Sequence, residues 1–305
     1  MSLNPLSLFR AMPGSIAQGM IWGVMALGVY ITFRLLDFAD LTVDGSIATG
    51  AAVSVMLIRA GVSPIATLPI AFLAGALAGM VTGLLNTALG IPGILASILT
   101  QISLYSINLN IMGKANQPVS VDNYPLVVSL RYVTDGSVSR LLFFLGMIVF
   151  LLALIAVMYW YFGTEQGHAI RATGCNSNMA RAQGINTNFI KVLALMISNG
   201  LVGLCGALYG QFQGASDVNM GRGAIVIGLA AVIIGEVLFG KFASKRKLAF
   251  AFTLASVILG AVIYYMVYQF VLWLKMPSDY MKLFSAVVVA CFLAVPYMKD
   301  TYFKK

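Results

Sequence analysis

Charged side chains are scarce in this chain of 305 residues, where they make up only 10% of the sequence. A soluble globular domain has roughly 25% charged residues. Hydrophobic residues make up 60% of the chain, and the mean hydropathy is +0.92. One soluble core cannot hide that much apolar surface, so the composition excludes a soluble domain and predicts an integral membrane protein.

Residues that support metal or nucleophilic chemistry are also rare. His168 is the single histidine, and Cys175, Cys205 and Cys291 have no metal-binding spacing. No G-x-x-x-x-G-K-[ST] phosphate loop occurs, so we expect any ATP and magnesium to be held by another chain. These absences predict a protein that is not an enzyme and that itself binds no metal or cofactor.

Apolar segments of about membrane-spanning length recur along the chain. They predict an all-α, polytopic membrane protein with about 8–9 transmembrane helices, the lower count applying if the second or seventh segment is re-entrant. We expect residues 1–305 to form a single transmembrane domain. The segments are Ser15–Leu36, Ser46–Leu57, Pro64–Leu89, Ile91–Met112, Leu141–Phe162, Phe189–Phe212, Gly223–Gly240, Leu248–Leu272 and Leu283–Tyr297.

The net charge of +9 indicates membrane topology, because Lys and Arg cluster at the ends of the apolar segments. We therefore expect no nucleic-acid partner. Placing the basic segments 163–188 and 241–247 inside the cell leaves the long polar loop 113–138 and the N-terminus outside. Glu236, near the end of a span, is expected to pair with Lys241 or with an arginine of segment 163–188.

An acidic stretch, Asp37–Ser46, separates the first two apolar segments. Its three carboxylates are costly near a membrane unless they are solvated or paired. One interpretation is a capped turn at the membrane surface, in which Asp44 or Thr42 caps the helix that follows. The other is a break within the membrane that lines the permeation path.

A polar stripe marks the fourth apolar segment. Gln101, Tyr105 and Asn108 share one helix face, and Ser97 lies one turn earlier. Polar atoms inside a bilayer need partners in the bundle or in a water-filled cavity. A pore-facing stripe and a stripe of interhelical hydrogen bonds explain the pattern equally well.

Segment 163–188 is a polar insertion, GTEQGHAIRATGCNSNMARAQGINTN, between two apolar segments. A short helix is predicted by its helix formers, which Gly174 and Gly184 interrupt; they are Ala169, Ile170, Ala172, Met179, Ala180 and Ala182. Small residues with two arginines suit docking onto another protein. A solvated basic loop is the alternative.

Matches at many fixed offsets make this segment resemble the cytoplasmic coupling segment of ABC importer permeases of the ribose and branched-chain amino acid family. The pattern is Gly167-x-Ala169-x-Arg171-Ala172-x-Gly174-x-Asn176-x-x-x-Ala180-x-x-x-Gly184-Ile185-Asn186. The resemblance covers nearly the whole chain and implies a type II ABC importer permease-like fold, with a coupling helix seated in a cleft of the ATPase subunit. The coupling residues that it implies are Gly167, Arg171, Ala172, Gly174, Asn176, Ala180, Arg181 and Gly184. Arg171 is expected to pair with an acidic group on the ATPase or on this chain.

The acidic stretch carries a second resemblance. Phe38-x-Asp40-Leu-Thr42-Val-Asp44-Gly-Ser46 is similar to an element of a related permease group, some of whose members are linked to uptake of aromatic amino acids such as tryptophan and tyrosine. Sugar permeases of this class carry Gly-Gly where this chain has Gly235-Glu236, which weakens a ribose assignment. The translocation residues expected on this resemblance are Asp40, Thr42, Asp44, Ser46, Gln101 and Asn108.

The resemblance implies a permease subunit that imports a small solute, an amino acid or a related compound, by alternating access. The partners that it implies are a second permease copy in a homodimer, separate ATPase subunits, an extracytoplasmic solute-binding protein and membrane lipid. The location that it implies is the inner or plasma membrane of a prokaryote. The alternative is a secondary transporter or channel without an ATPase; the break at 37–46 fits one, but the sequence shows no obvious second copy of it.

Overall fold

A computed structural model describes residues 5–134, 137–243 and 248–274, together with Leu283, Ala286, Val287, Ala290 and Ala294. The last predicted span, Leu283–Tyr297, therefore lies almost wholly outside the described residues. The side chains of the basic run 241–247 lie outside them as well.

The described chain contains eleven α-helices and two short strands. They are α1 Pro5–Tyr30, α2 Thr42–Arg59, α3 Pro64–Thr87, α4 Gly93–Met112, β1 Asn116–Pro118, α5 Leu130–Thr134, α6 Ser137–Phe162, α7 Glu165–Cys175, α8 Ser177–Ala182, α9 Thr187–Gln213, β2 Ala215–Asp217, α10 Ala224–Ala243 and α11 Ala249–Trp273. A π-helical turn, Ile31–Leu35, extends α1.

Long apolar helices confirm the prediction of a polytopic all-α membrane protein. Six helices in the described ranges are long and apolar enough to cross a membrane, and Ala224–Gly240 in α10 is a shorter apolar helix. The expected second span, Ser46–Leu57, lies within α2, which is not one of the six. The six are Ser7–Leu35, Pro64–Thr87, Gly93–Met112, Val138–Phe162, Thr187–Gln213 and Ala249–Trp273.

Helix α9 is the centre of the bundle and packs closely against its neighbours through glycines. A methyl group at Gly50 of α2 would lie 1.9 Å from the carbonyl oxygen of Gly203. One at Gly79 of α3 would lie 2.2 Å from the carbonyl oxygen of Leu195. Small residues let membrane helices approach at the level of the backbone, where lipid supplies no hydrophobic drive.

Two pairs of long helices pack antiparallel. Helix α3 packs on α9, with Gly75 against Asn199 and Gly83 against Val192. Helix α11 packs on α1, with Gly19 against Val262 and Gly23 against Ile258. A non-helical break lies at 36–41 before α2, and another lies at 218–223 before α10. The sequence did not reveal the second break.

The two polar connections that frame the bundle lie at opposite ends of α9. Loop 113–138 is not wholly irregular, because β1 pairs antiparallel with β2 just beyond the C-terminal end of α9, and Gln117 faces Ser216. Segment 163–188 leads into the N-terminal end of α9 and packs beside Leu35 at the end of the π-helical turn. The bundle thus has one end built from the ribbon and another built from α7 and α8.

Candidate functional site

Segment 163–188 forms two short helices, where the sequence predicted one. Thr164 caps α7 by accepting a hydrogen bond from the backbone N–H of Gly167 at 3.5 Å. Asn176 adopts an extended conformation, with φ −160°, and ends α7. Its side chain then caps α8 by accepting from the N–H groups of Asn178 at 3.1 Å and Met179 at 3.0 Å. Asparagine is a favoured N-cap, so one residue both ends α7 and begins α8.

Glycines seat α7 firmly on the membrane helices. A methyl group at Gly167 would lie 2.4 Å from the Cα of Phe162, and one at Gly174 would lie 2.0 Å from the carbonyl oxygen of Leu35. Ile170 between them is fully buried. Gly184 has φ +85°, a left-handed conformation that glycine adopts without strain. The structure therefore gives three of the predicted coupling glycines packing or turn roles within this chain.

Arg171 stacks on aromatic rings. Its guanidinium carbon lies 4.2 Å from the ring centroid of Phe250 in α11 and 5.7 Å from that of Phe162 in α6. Its Nε is buried and has no hydrogen-bond partner in the described part of the chain. The acidic partner expected on this chain is therefore not found among the described residues, and cation–π contacts hold the side chain instead.

Glu236 pairs with Arg34 and not with an arginine of segment 163–188, whereas the side chain of Lys241, the other expected partner, lies outside the described residues. The Arg34 Nε donates to Glu236 Oε1 at 2.9 Å, and Arg34 Nη2 makes a further ion pair with Oε2. The π-helical turn carries Arg34 to the same level as the end of α10. Arg171 is unavailable to Glu236 because it faces the rings of Phe162 and Phe250.

The outward side of α7 and α8, here called the coupling surface, combines small, apolar and basic side chains. Met179 is 61% exposed, whereas Ala180 is buried. The exposed Arg181 donates from Nη2 to Thr187 Oγ1 at 3.2 Å. An open cavity of about 700 Å³ adjoins α7 and includes His168, Ala172 and Ile185 in its lining. The coupling surface consists of the exposed residues Ala172, Cys175, Asn176, Asn178, Met179, Arg181 and Ala182.

Three of the six predicted translocation residues lie inside the bundle with their hydrogen bonds satisfied. Asp40 accepts from the Asn199 side-chain amide at 2.6 Å and from the Thr42 N–H at 2.9 Å. Ser46 donates to the Asn199 amide oxygen at 2.7 Å. Thr42 shares a hydroxyl hydrogen bond of 2.8 Å with Thr82. All are buried, so this cluster ties the start of α2 to α9 and α3.

The other three predicted translocation residues, Asp44, Gln101 and Asn108, surround a cavity of about 300 Å³. We call it the polar cavity. It lies between the start of α2, the polar face of α4 and the loop before α10, and Tyr105 also lines it. The shared face of Gln101, Tyr105 and Asn108 that their spacing predicted is therefore turned towards one space.

Asp44 caps a distant helix, whereas the sequence suggested that it caps its own. Its Oδ2 accepts from the Gly223 N–H at 2.9 Å and its Oδ1 from the Ile225 N–H at 3.0 Å. A carboxylate at a helix N-terminus is favoured by the partial positive charge there. Helix α2 begins without a side-chain cap. Asp44 therefore links the first turn of α2 to the start of α10.

Asn108 is the buried polar residue of this cavity whose side chain lacks hydrogen-bond partners among the described residues. It is fully buried, and neither its Nδ2 nor its Oδ1 has a hydrogen-bond partner among the described residues. A buried amide without partners is costly, and Asn108 lies beside the polar cavity.

Asn219 and Arg222 also line the polar cavity, and sequence reasoning missed both. They lie in the second break, just ahead of α10. A signal was present, since two glycines flank Arg222 and the apolar run that follows is short. A methyl group at Gly221 would lie 1.9 Å from the Asp44 carbonyl oxygen, which explains why glycine stands there.

A polytopic bundle of apolar helices with a polar cavity beside two helix breaks is an arrangement found in transporters. The chain belongs to the family described as the permease component of the branched-chain amino acid transport system, whose model matches residues 12–293. The chain is the transmembrane permease subunit of an ABC importer that moves small solutes.

Curated relatives include proteins with permease names and one uncharacterized protein. A tyrosine transport system permease protein of Clostridioides difficile (strain R20291) is 39% identical over 279 residues, covering 92% of this chain and 89% of the relative. An uncharacterized protein of Rickettsia prowazekii (strain Madrid E) is 34% identical, covering 74% and 76%. The galactofuranose transporter permease protein YtfT of Escherichia coli (strain K12) is 29% identical, covering 84% and 71%. No solved structure matches the chain significantly.

Family membership confirms the resemblance to ABC importer permeases and implies a class of partners and a location. A permease component is not itself the catalytic part of the transporter, and it works with ATPase and solute-binding partners. The six long apolar helices and the bacterial relatives place the chain in the prokaryotic inner membrane as a multi-pass protein. The sequence argued against a secondary transporter because it showed no second break. The structure does contain a second break, so that objection no longer holds. Membership of the permease family nevertheless decides for the ABC permease.

Proposed function

We propose that this permease imports an amino acid, and that its passage includes the polar cavity bounded by Asp44, Gln101 and Asn108. The observation that carries the proposal is the buried Asn108 amide, which has no partner among the described residues. The polar cavity also has a carboxylate, Asp44, and a guanidinium, Arg222, on its walls. Charges of both signs suit a zwitterion. The tyrosine system of the relative from C. difficile supports an amino acid.

The buried cluster of Asp40, Thr42 and Ser46 has a positioning role in this proposal. It fixes the start of α2 against Asn199 of α9, and α2 in turn presents Asp44 to the polar cavity. These residues act on the passage through Asp44 and do not themselves touch the solute.

The coupling surface transmits the energy of ATP in this proposal. ATP and magnesium are bound and hydrolysed by the partner ATPase subunits, while α7 and α8 dock on them through exposed residues such as Asn176 and Arg181. Gly167, Gly174 and Arg171 fasten α7 to α1, α6 and α11, so a movement of α7 pulls on the bundle directly. Ala172 and Ala180 keep the docking surface shallow, and Gly184 forms the turn into α9.

The proposed assembly is a homodimer in lipid, with residues 1–305 forming one transmembrane domain in each copy. Segment 163–188 faces the cytoplasm and loop 113–138 faces the outside, where the binding protein delivers the solute. The opposite positions of these segments relative to α9 support this orientation.

Uptake by proteoliposomes tests the passage. The vesicles contain the permease with its ATPase, and the solute-binding protein and L-tyrosine are supplied outside. Asn108→Leu removes the unpartnered amide and is expected to lower ATP-dependent uptake about tenfold, the loss of one to two solute hydrogen bonds. Ser103→Ala on the same helix is the matched control, since Ser103 bonds only to the Leu99 carbonyl. Normal uptake by Asn108→Leu would remove the polar cavity from the passage.

A further inference from the structure

A second cavity, of about 460 Å³, lies between α1, α9, α10 and α11. Its size is within the usual range of small-molecule sites, about 300–1,000 Å³. Aromatic side chains from three helices make up much of its wall, and we call it the aromatic cavity. They are Trp22 of α1, Tyr209 of α9, and Tyr264, Tyr265 and Tyr268 of α11.

The aromatic walls are held in place by contacts with one another. The ring centroids of Trp22 and Tyr209 are 5.2 Å apart at an interplanar angle of 76°, and those of Trp22 and Tyr265 are 5.6 Å apart. Tyr209 receives hydrogen bonds from the amides of Gln18 at 3.4 Å and Gln213 at 2.5 Å. Edge-to-face pairs of this kind are favourable beyond the area they bury. The aromatic cavity is therefore preformed.

Trp22 carries a donor that lacks an acceptor. The residue is only 4% exposed, and its Nε1 is buried with no hydrogen-bond partner in the described part of the chain. A buried indole normally finds an acceptor. Trp22 lines the aromatic cavity, and its indole N–H is the donor in this wall that has no acceptor among the described residues.

Arg222 connects the two cavities, because it lines both the aromatic and the polar one. It is exposed, and within the described ranges no hydrogen bond or ion pair is found for its guanidinium. It also stands two residues before Ala224, the start of α10, where the helix dipole favours a negative charge. The planar guanidinium fork fits a carboxylate in a bidentate manner.

We propose that the aromatic cavity and Arg222 form one binding site for an aromatic amino acid on its way through the membrane. The ring of the solute occupies the space between Trp22 and Tyr268, and its carboxylate pairs with Arg222. Its ammonium group then faces the polar cavity, where Asp44 and Asn108 supply oxygen atoms. This inference rests on the proposed function and adds the solute class and the site.

The charge of Arg222 separates this ligand from others that fit aromatic walls. An aromatic cage without a nearby cation selects quaternary ammonium groups, but Arg222 repels them. An aliphatic side chain would leave the Trp22 N–H without an acceptor. An anionic lipid shares the anion-plus-apolar chemistry, so the test must distinguish it from the solute.

Photo-crosslinking locates the ligand directly. Proteoliposomes of the permease–ATPase complex are irradiated with 4-azido-L-phenylalanine, and labelled peptides are identified by mass spectrometry. We expect label on peptides that contain Trp22 or Tyr264–Tyr268, with competition by L-tyrosine and none by L-alanine. Arg222→Gln should reduce labelling at least tenfold, whereas Arg140→Gln, whose Nε bonds to the Val133 carbonyl, should not. Label elsewhere, or label insensitive to Arg222→Gln, overturns the proposal.

Lipid composition and transport distinguish the remaining outcomes. Adding phosphatidylglycerol to phosphatidylcholine vesicles should leave labelling unchanged; if it abolishes labelling, the site belongs to lipid and the proposal fails. Tyr268→Ala should lower L-tyrosine uptake about tenfold, and Tyr268→Phe should preserve it. Unchanged L-tyrosine uptake by Tyr268→Ala overturns the aromatic site alone. Absence of amino acid uptake by the unaltered complex overturns the proposed function itself.

Discussion

Two arginines in the same short segment are expected to have different roles. Arg171 is turned inward onto Phe250 and Phe162, whereas Arg181 is exposed and bonded only to Thr187. Both belong to the motif that resembles a coupling segment, and the motif alone does not tell them apart. Their surroundings predict that Arg171 holds α7 on the bundle and that Arg181 meets the partner.

Arg171→Gln is therefore expected to lower the free energy of unfolding by about 1–2 kcal/mol, because a partly buried cation–π contact is lost. Arg181→Gln should change it by less than about 0.5 kcal/mol, as is usual for exposed positions. Thermal unfolding of the purified permease in detergent measures both. If Arg171→Gln unfolds at the temperature of the parent and Arg181→Gln does not, the assignment of the two arginines is reversed.

Asn199 is the residue on which the buried polar cluster depends. Its amide donates to Asp40 and accepts from Ser46, so Asn199→Ala leaves a buried carboxylate without its strongest partner. We expect a loss of about 2–4 kcal/mol in unfolding free energy. Asn110→Ala on the exposed side of α4 is the control and should be nearly neutral. Similar stabilities for the two variants would mean that water replaces the amide and that the cluster does not secure α2.

The sequence drew attention to these polar residues but could not assign their partners. Asp40 and Asp44 are four residues apart in one acidic stretch. The structure nevertheless places one in the bundle interior and the other at the N-terminus of α10. That distinction depends on contacts between segments more than 150 residues apart, which local propensity does not encode. Arg222 was missed for the same reason, since its significance comes from the cavities that it borders.

At the level of elements, glycine spacing determines how closely the helices approach. Six of the predicted apolar segments agree with long helices in the described ranges, because bilayer thickness fixes their length. The β1–β2 ribbon was not predicted because each strand has only three residues. The two strands are also far apart in the sequence, where segment 163–188 lies between them.

Gly50→Ala tests the contact between α2 and α9. The added methyl group would meet the Gly203 backbone, so we expect destabilisation of about 1–3 kcal/mol from overpacking. Gly146→Ala in α6 is matched to it, because no atom lies within 4 Å of the position of its methyl group. That variant should gain about 0.5–1 kcal/mol from helix propensity. Unfolding in denaturant measures both, and a neutral Gly50→Ala would show that the two backbones are not in contact.

At the level of the whole molecule, the regions around the two non-helical breaks meet at the carboxylate of Asp44. The break at 36–41 and the break at 218–223 are joined by the hydrogen bonds of Asp44 to the start of α10. Both cavities adjoin this junction, and the coupling surface is fastened to the same helices through Leu35, Phe162 and Phe250. A shift of α7 can therefore reach the cavities through α1 and α11 without any flexible connection.

The central claim is that the ATPase drives this permease through the coupling surface. Replacing the whole of 166–186 would also remove the packing of Gly167, Ile170 and Gly174, so point variants are more informative. The direct test is co-purification of the partner ATPase with the Met179→Glu, Arg181→Glu double variant. The control is Arg131→Glu, which reverses the charge of one arginine in loop 113–138 as Arg181→Glu does in the coupling surface.

We expect the double variant to remain inserted in the membrane and to lose its ATPase, while Arg131→Glu retains it. An ATPase that stays bound to the double variant, or that leaves with Arg131→Glu, would contradict the account.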